Sequence, residues 1–229
     1  MVLRYKYKNI IPLGYYCGIC QELERKGFRK YSLPFDWLIT EDFEKVLYCI
    51  RTSFKDFLVK DNLRQEVDVN PNYYYDIALD MHFYHDFLST STMNQQYGKV
   101  KPKYDRRIQR FQNLIKEPSL YLRYLSSPKD IEYVKANRIA IDEFIKTIHP
   151  QSDILYFVDS KYDTLVSGMG GVIIVENDRC GSQPRFFEKL SGFTWFLYCN
   201  CKISLFTIMK NKLRYLKKRI VKKVKSKRV

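Results

Sequence analysis

Between Ser119 and Val175 the chain alternates short apolar runs with helical and polar segments, and this rhythm restricts the fold more than any other feature. Ser119–Leu125 (SLYLRYL), Asp153–Val158 (DILYFV) and Val172–Val175 (VIIV) are near-continuous apolar runs. They are too short for helices and have the character of strands buried on both faces. Between the first two, Pro128–Ile148 carries Ile131, Val134, Ile139, Ile141, Phe144, Ile145 and Ile148. Most of these recur at three- and four-residue spacing, which predicts an amphipathic helix. Ser160–Ser167 predicts a short, partly helical connection, and GMGG (168–171) a turn. Parallel neighbours need crossover connections of this kind. The expectation is a three-layer α/β fold, a mostly parallel sheet flanked by helices.

Upstream, Asn9–Trp37 reads as the opening unit. Ile10, Ile11 and Leu13 predict a strand, Gly14 a turn, and Cys17 the start of a helix that continues through Ile19, Cys20 and Leu23 to a cap at Gly27. Pro34 forces Leu33 extended, and Phe35 and Trp37 flank Asp36 as apolar anchors. A thiol at a strand-to-helix turn meets backbone N–H groups and the positive end of a helix dipole, a setting that lowers its pKa and makes a nucleophile. Glu41–Phe57 predicts a helix capped by Thr40. Leu58–Asp76 reads as polar and irregular, Ile77–Phe83 as a strand, and the segment up to Lys103 as a loop without periodicity. Tyr104–Ile115 predicts a helix with Ile108, Phe111, Leu114 and Ile115 on one face and Arg106, Arg107 and Arg110 on the other. That cationic face is either solvated or a site for phosphate or carboxylate.

Charge separates the two ends of the chain. The formal net charge is +15, but the segment from Lys210 to Val229 holds eleven Lys or Arg and no Asp or Glu; the rest carries 15 − 11 = +4. The basic character belongs to a tail and not to a groove, so nucleic acid is not an expected partner. Within the tail, Met209, Leu213, Leu216, Ile220 and Val224 form an apolar stripe on a cationic helix. The chain therefore divides into an α/β domain (1–192) and an aromatic, then basic amphipathic segment (193–229). An anionic membrane surface is the leading expected partner of that segment, with a solvated or partner-binding tail as the alternative. Six cysteines (17, 20, 49, 180, 199 and 201) follow a basic start without an apolar leader, which predicts free thiols and a cytoplasmic protein, peripheral to the membrane if the tail binds one. Cys17-x-x-Cys20 lacks a second pair at zinc spacing, and GMGG lacks the Lys-Ser/Thr of a phosphate loop; no metal and no cofactor is expected.

A thiol nucleophile needs a base and a group to orient that base. His149 precedes Pro150 at a helix end and reads as a capping residue. His82 and His85 fall on opposite faces if Ile77–Phe83 is a strand, and His85, just past its end, is the preferred base. Asp36 is the first choice of orienting carboxylate, ahead of Asp159 and Asp178, because its segment returns toward Cys17.

Four segments, LGYYC (13–17), RKYSLPFDW (29–37), HDF (85–87) and YDRRIQRF (104–111), together resemble a bacterial domain of unknown function described as papain-like cysteine peptidases. The resemblance implies a nucleophile at Cys17 and a histidine partner. It also implies a peptide or glycan-linked substrate, since members look associated with surface-polysaccharide machinery. The α/β rhythm departs from a papain scaffold. The leading reading is thus a cysteine-dependent hydrolase or transferase with Cys17, His85 and Asp36 at its centre. The alternative is a non-enzymatic module that binds an anionic glycan or nucleotide-sugar precursor.

Overall fold

A central parallel sheet, in the order β1-β6-β7-β8, carries the structure. Its strands are β1 (Asn9–Pro12), β6 (Ser119–Leu125), β7 (Asp153–Asp159) and β8 (Val172–Val175). The structure is a computed structural model that describes residues 5–67, 70, 72–88, 90–176 and 185–225. In the middle of the sheet Leu122 lies between Pro12 and Leu155, and Phe157 pairs with Ile173. All seven residues of β6 are buried, as its unbroken apolar run requires.

Alternation along the strands feeds two cores. Leu120, Leu122, Tyr124 and Phe157 face α1 (Gly18–Lys26) and α5 (Ser191–Asn200), packing with Ile19, Leu23, Phe193 and Leu197. On the other face Tyr121, Leu125, Ile154, Tyr156 and Val158 meet Ile131, Val134, Ile141 and Ile145 of α4 (Pro128–Ile148). Helices on both faces of a parallel sheet make the three-layer α/β fold that the sequence predicts. The α4 helix has its expected limits: Ser127 Oγ accepts from the Asp130 N–H and Pro128 opens the first turn. Ile139 departs from its stripe and is exposed.

Between β1 and β6 the chain builds a second, antiparallel sheet, ordered β2-β5-β4-β3: β2 (Leu38–Thr40), β5 (Met81–Phe83), β4 (Tyr74–Asp76) and β3 (Leu63–Gln65). The sequence predicts a single strand at 77–83 here. Instead residues 77–80 turn: the Asp76 carboxylate accepts from Ala78 N and Leu79 N, and Asp80 has φ 54°. Three-residue strands are too short to show alternation.

Two helices also differ from expectation. The α2 helix (Phe43–Arg51) is capped by Asp42, not Thr40, and stops where Ser53 and Phe54 take positive φ. The α3 helix (Met93–Leu114) starts eleven residues before Tyr104, at a capping box in which Thr92 and Gln95 satisfy each other. Gly98 and Pro102 lie inside it, and its buried side runs Gln96, Val100, Tyr104, Phe111.

The last helix, α6 (Leu205–Lys225), docks on the C-terminal end of α1. Gly27 makes this approach: it caps α1 at φ 86°, and a Cβ there would come 2.5 Å from the Ile208 carbonyl. Asn211 Nδ2 donates to the carbonyls of Gly27 (3.0 Å) and Arg29 (3.1 Å).

One buried charge ties the layers together. Arg123 on β6 is fully buried. Its Nη1 donates to Leu13 O (3.1 Å) and Thr40 Oγ1 (2.6 Å), and its Nη2 to Thr40 O (2.7 Å) and Asp130 Oδ2 (2.7 Å). Asp130 Oδ1 accepts from Phe43 N. Removing one partner of such a pair leaves an uncompensated charge in the core, which costs about 3–5 kcal/mol. We expect Arg123→Ala to lower the unfolding free energy by that amount in urea titration. A loss below about 1 kcal/mol would show that the network is dispensable.

Candidate functional site

The chain leaves the parallel sheet at the carboxyl end of β1. Leu13 N donates to Leu122 O (2.8 Å), and Tyr124 N donates to Gly14 O (3.2 Å). Gly14 has φ 78°, and a Cβ on it would stand 2.7 Å from Thr40 Oγ1. The turn is therefore a glycine turn pressed against β2. Three residues on, Cys17 is the N-cap of α1, helical in its own backbone and without a capping side-chain bond. This is the strand–turn–cysteine–helix order that the sequence predicts, at the edge of the sheet where α/β proteins hold their ligands. Tyr15, Tyr16 and Tyr124 cluster beside it, with ring centroids 5.3–5.9 Å apart.

The Cys17 thiol is half-buried, and its hydrogen-bond partner is Gln21, whose Nε2 donates to Sγ at 3.1 Å. Burial raises the thiol pKa, and the backbone hydrogen bond that opposes it is weaker. The expected lowering by the helix N-terminus is thus outweighed by desolvation. Gln21 was not among the sequence candidates, yet its spacing signals it: residues four apart share a helix face.

Cys20, one turn on, is buried and donates to the carbonyls of Asp36 (2.9 Å) and Cys17 (3.1 Å). It fastens the 29–37 segment to α1. Burial pushes its pKa well up, as suits a packing thiol. The Asp36 carboxylate is buried beside it. Oδ2 accepts from Arg29 Nη2 (2.8 Å) and Leu33 N (2.9 Å), while Oδ1 has no hydrogen-bond partner. Burial raises the Asp36 pKa despite the pull of Arg29. Asp36 therefore meets an arginine and not a histidine.

His82 lies on β5 of the antiparallel sheet and His85 just past its end. His85 is exposed and makes no hydrogen bond among the described residues; its ring packs edge-on against Trp37 at 6.0 Å. Trp37 also has the Arg29 guanidinium 5.3 Å from its ring. A contact chain thus runs Cys17–Cys20–Asp36–Arg29–Trp37–His85, and no hydrogen bond joins Cys17 to a histidine among the described residues. His82 is engaged elsewhere, with Nδ1 2.5 Å from Glu66 Oε1. Nothing in the sequence signals Glu66, because the contact crosses the sheet. Asp86 accepts from Tyr104 Oη (2.6 Å) and pairs with Lys103. His149 is the C-cap of α4, as expected. Asp159 caps the turn after β7, and Asp178 lies outside the described residues.

The three arginines of α3 separate. Arg110 Nη1 donates to Ser32 O (2.7 Å), Arg107 lies over the Tyr104 ring (4.8 Å), and Arg106 is exposed. Five cysteines, 17, 20, 49, 199 and 201, are free thiols, and Cys180 lies outside the described residues. No three His, Cys, Asp or Glu side chains form a metal-binding group among the described residues.

Comparison with known proteins gives a family. The family described as "Putative papain-like cysteine peptidase (DUF1796)" matches residues 8–139, more than half of the chain. That span contains Cys17, Gln21, Asp36, His82, His85 and the three arginines. A curated relative, "Uncharacterized protein R408" of Acanthamoeba polyphaga mimivirus, is 30% identical over 122 residues. The match covers 45% of this chain and 55% of the relative, so the chain spans about half the length of the protein it resembles. No solved structure matches.

The raised Cys17 pKa has a measurable consequence. Alkylation follows the thiolate, so burial should delay it. With iodoacetamide and peptide mass spectrometry, Cys199, which is exposed, should label faster than Cys17 at pH 7, and Cys17 labelling should still be rising above pH 9. Labelling of Cys17 ahead of Cys199 at pH 6 would contradict a desolvated, protonated thiol.

Proposed function

The chain belongs to this papain-like cysteine peptidase family, and from that membership we propose that it is a cysteine-dependent hydrolase with Cys17 as nucleophile. The observation that carries the proposal is the position of Cys17: a half-buried thiol at the first strand-to-helix junction, on the carboxyl edge of the sheet, with an amide donor on its sulfur. A peptide bond is the first substrate class to test, and a glycan-linked acyl group the second.

A thiol whose pKa is raised by burial needs a base at the moment of attack. His85 takes that role in this reading. It is accessible, and no hydrogen bond occupies its ring among the described residues. Cys17 Sγ bonds to the carbonyl carbon as its proton passes to His85. His85 returns the proton to the leaving group, and water then cleaves the thioester. Gln21 Nε2 and the N–H groups near residues 16–18 face the charge that develops on the carbonyl oxygen. Asp36 acts one step removed, holding Arg29, on which Trp37 and hence His85 rest. Arg106, Arg107 and Arg110 supply guanidinium groups for an acidic substrate, with Arg106 the most accessible of the three.

A second reading follows from one observation, that no hydrogen bond links Cys17 to a histidine among the described residues. Under it the same edge binds an anionic glycan or nucleotide-linked precursor without turnover.

Turnover separates the two. On a quenched-fluorescence peptide library, Cys17→Ala should abolish hydrolysis. His85→Ala should lower kcat by about 10²–10⁴-fold. Gln21→Ala should lower it by about 10²-fold through the lost oxyanion donor. A wild-type acyl-enzyme should appear on Cys17 by mass spectrometry. Full activity in Cys17→Ala would end the proposal.

A further inference from the structure

The apolar stripe of α6 is not used by the fold. Leu205, Phe206, Met209, Leu213, Leu216 and Ile220 are all more than half exposed, from 51% at Leu216 to 75% at Phe206. From Met209 onward they recur at three- and four-residue intervals and share one side of the helix. Free rotation in solvent does not explain this exposure, because α6 is docked. Ile208 is buried, Asn211 binds two carbonyls at the end of α1, and Lys218 pairs with Glu24 (2.6 Å). The docked residues lie on a different side of the helix from the stripe. The joint to α1 therefore sets the rotation of α6 and holds its apolar side outward.

The charge beside the stripe selects the occupant. Lys210, Lys212, Lys217 and Arg219 adjoin Met209, Leu213, Leu216 and Ile220 in sequence, and no Asp or Glu follows Glu188 anywhere in the chain. A second copy laid on this side would bring two cationic helices together, and like charges in contact oppose association. A nucleic-acid backbone would match the lysines but has no use for the leucines. An anionic lipid surface matches both, with acyl chains for the stripe and headgroup phosphates for the lysines. No described helix is long and apolar enough to cross a membrane, so the geometry is one of lying in the interface.

We propose that α6 is an in-plane membrane anchor, which seats its Leu205–Ile220 stripe in an anionic bilayer while its other side stays clamped to α1. The inference is independent of the chemistry at Cys17.

Flotation of the full chain tests it, using vesicles of phosphatidylcholine alone or with about a third phosphatidylserine. The wild type should float with the anionic vesicles and not with the neutral ones. Leu213→Glu with Leu216→Glu should abolish flotation without changing the thermal midpoint, because both side chains already face solvent. Lys210→Gln with Lys217→Gln should weaken partitioning roughly 30-fold and leave the stripe intact. The proposal is overturned if the wild type ignores anionic vesicles or if the leucine variant floats as well as the wild type. It is equally overturned if the stripe proves to hold a dimer, seen as a wild-type dimer and a monomeric leucine variant by sedimentation, with no vesicle capture.

Discussion

Arg123 is the constraint on which the arrangement depends. It occupies the strand beside β1, between Leu122 and Tyr124, and it reaches out of that strand toward the antiparallel sheet. Its two terminal nitrogens bind the end of β1, the end of β2 and the first turn of α4, and Asp130 carries the link on to the start of α2. A buried pair of this kind adds little net stability, since desolvation consumes most of the attraction. What it does here is specify position. The antiparallel sheet attaches to the parallel one where Thr40 can offer both its hydroxyl and its carbonyl to the guanidinium. The same Thr40 hydroxyl occupies the space that a side chain at Gly14 would need. The turn that presents Cys17 is therefore held by the network that joins the sheets.

Around Cys17 the side chains divide into buried, bonded ones and more accessible ones. Asp36, Arg29 and Cys20 are largely buried and mutually satisfied, apart from one carboxylate oxygen of Asp36. Their work is to keep the 29–37 segment against α1. Cys17 and Gln21 are half-buried, and His85 and Arg106 are exposed. Desolvation raises the pKa of both thiols, but only Cys17 keeps partial access to solvent.

Much of the parallel layer was legible because its signals are local. SLYLRYL and VIIV are unbroken runs, and α4 has its cap and proline in place. The antiparallel sheet was hidden because strands of three residues show no period. The first half of α3 was hidden by Gly98 and Pro102, although Thr92 and Gln95 had the spacing of a capping box. At the site, the strand–turn–cysteine order was readable, and so was Gln21 by its four-residue offset. The upward shift of the Cys17 pKa was not, because it depends on how deeply the fold covers the sulfur. The pairing of His82 with Glu66 was not readable either, because it joins residues sixteen apart across a sheet. Arg123 is the single charge inside SLYLRYL, and its role follows from partners at Leu13, Thr40 and Asp130 that no local pattern reveals.

The nine residues of α1 form a rod about 14 Å long. One end bears the sulfur, and the other, at Gly27, touches the carbonyl of Ile208 in α6. A short helix does not bend appreciably over that length, so the two ends move as one body. The joint leaves no slack, because only glycine fits between the two backbones. The joint to the C-terminal helix and the turn that holds Cys17 thus stand at opposite ends of one short helix, which packs on the parallel sheet.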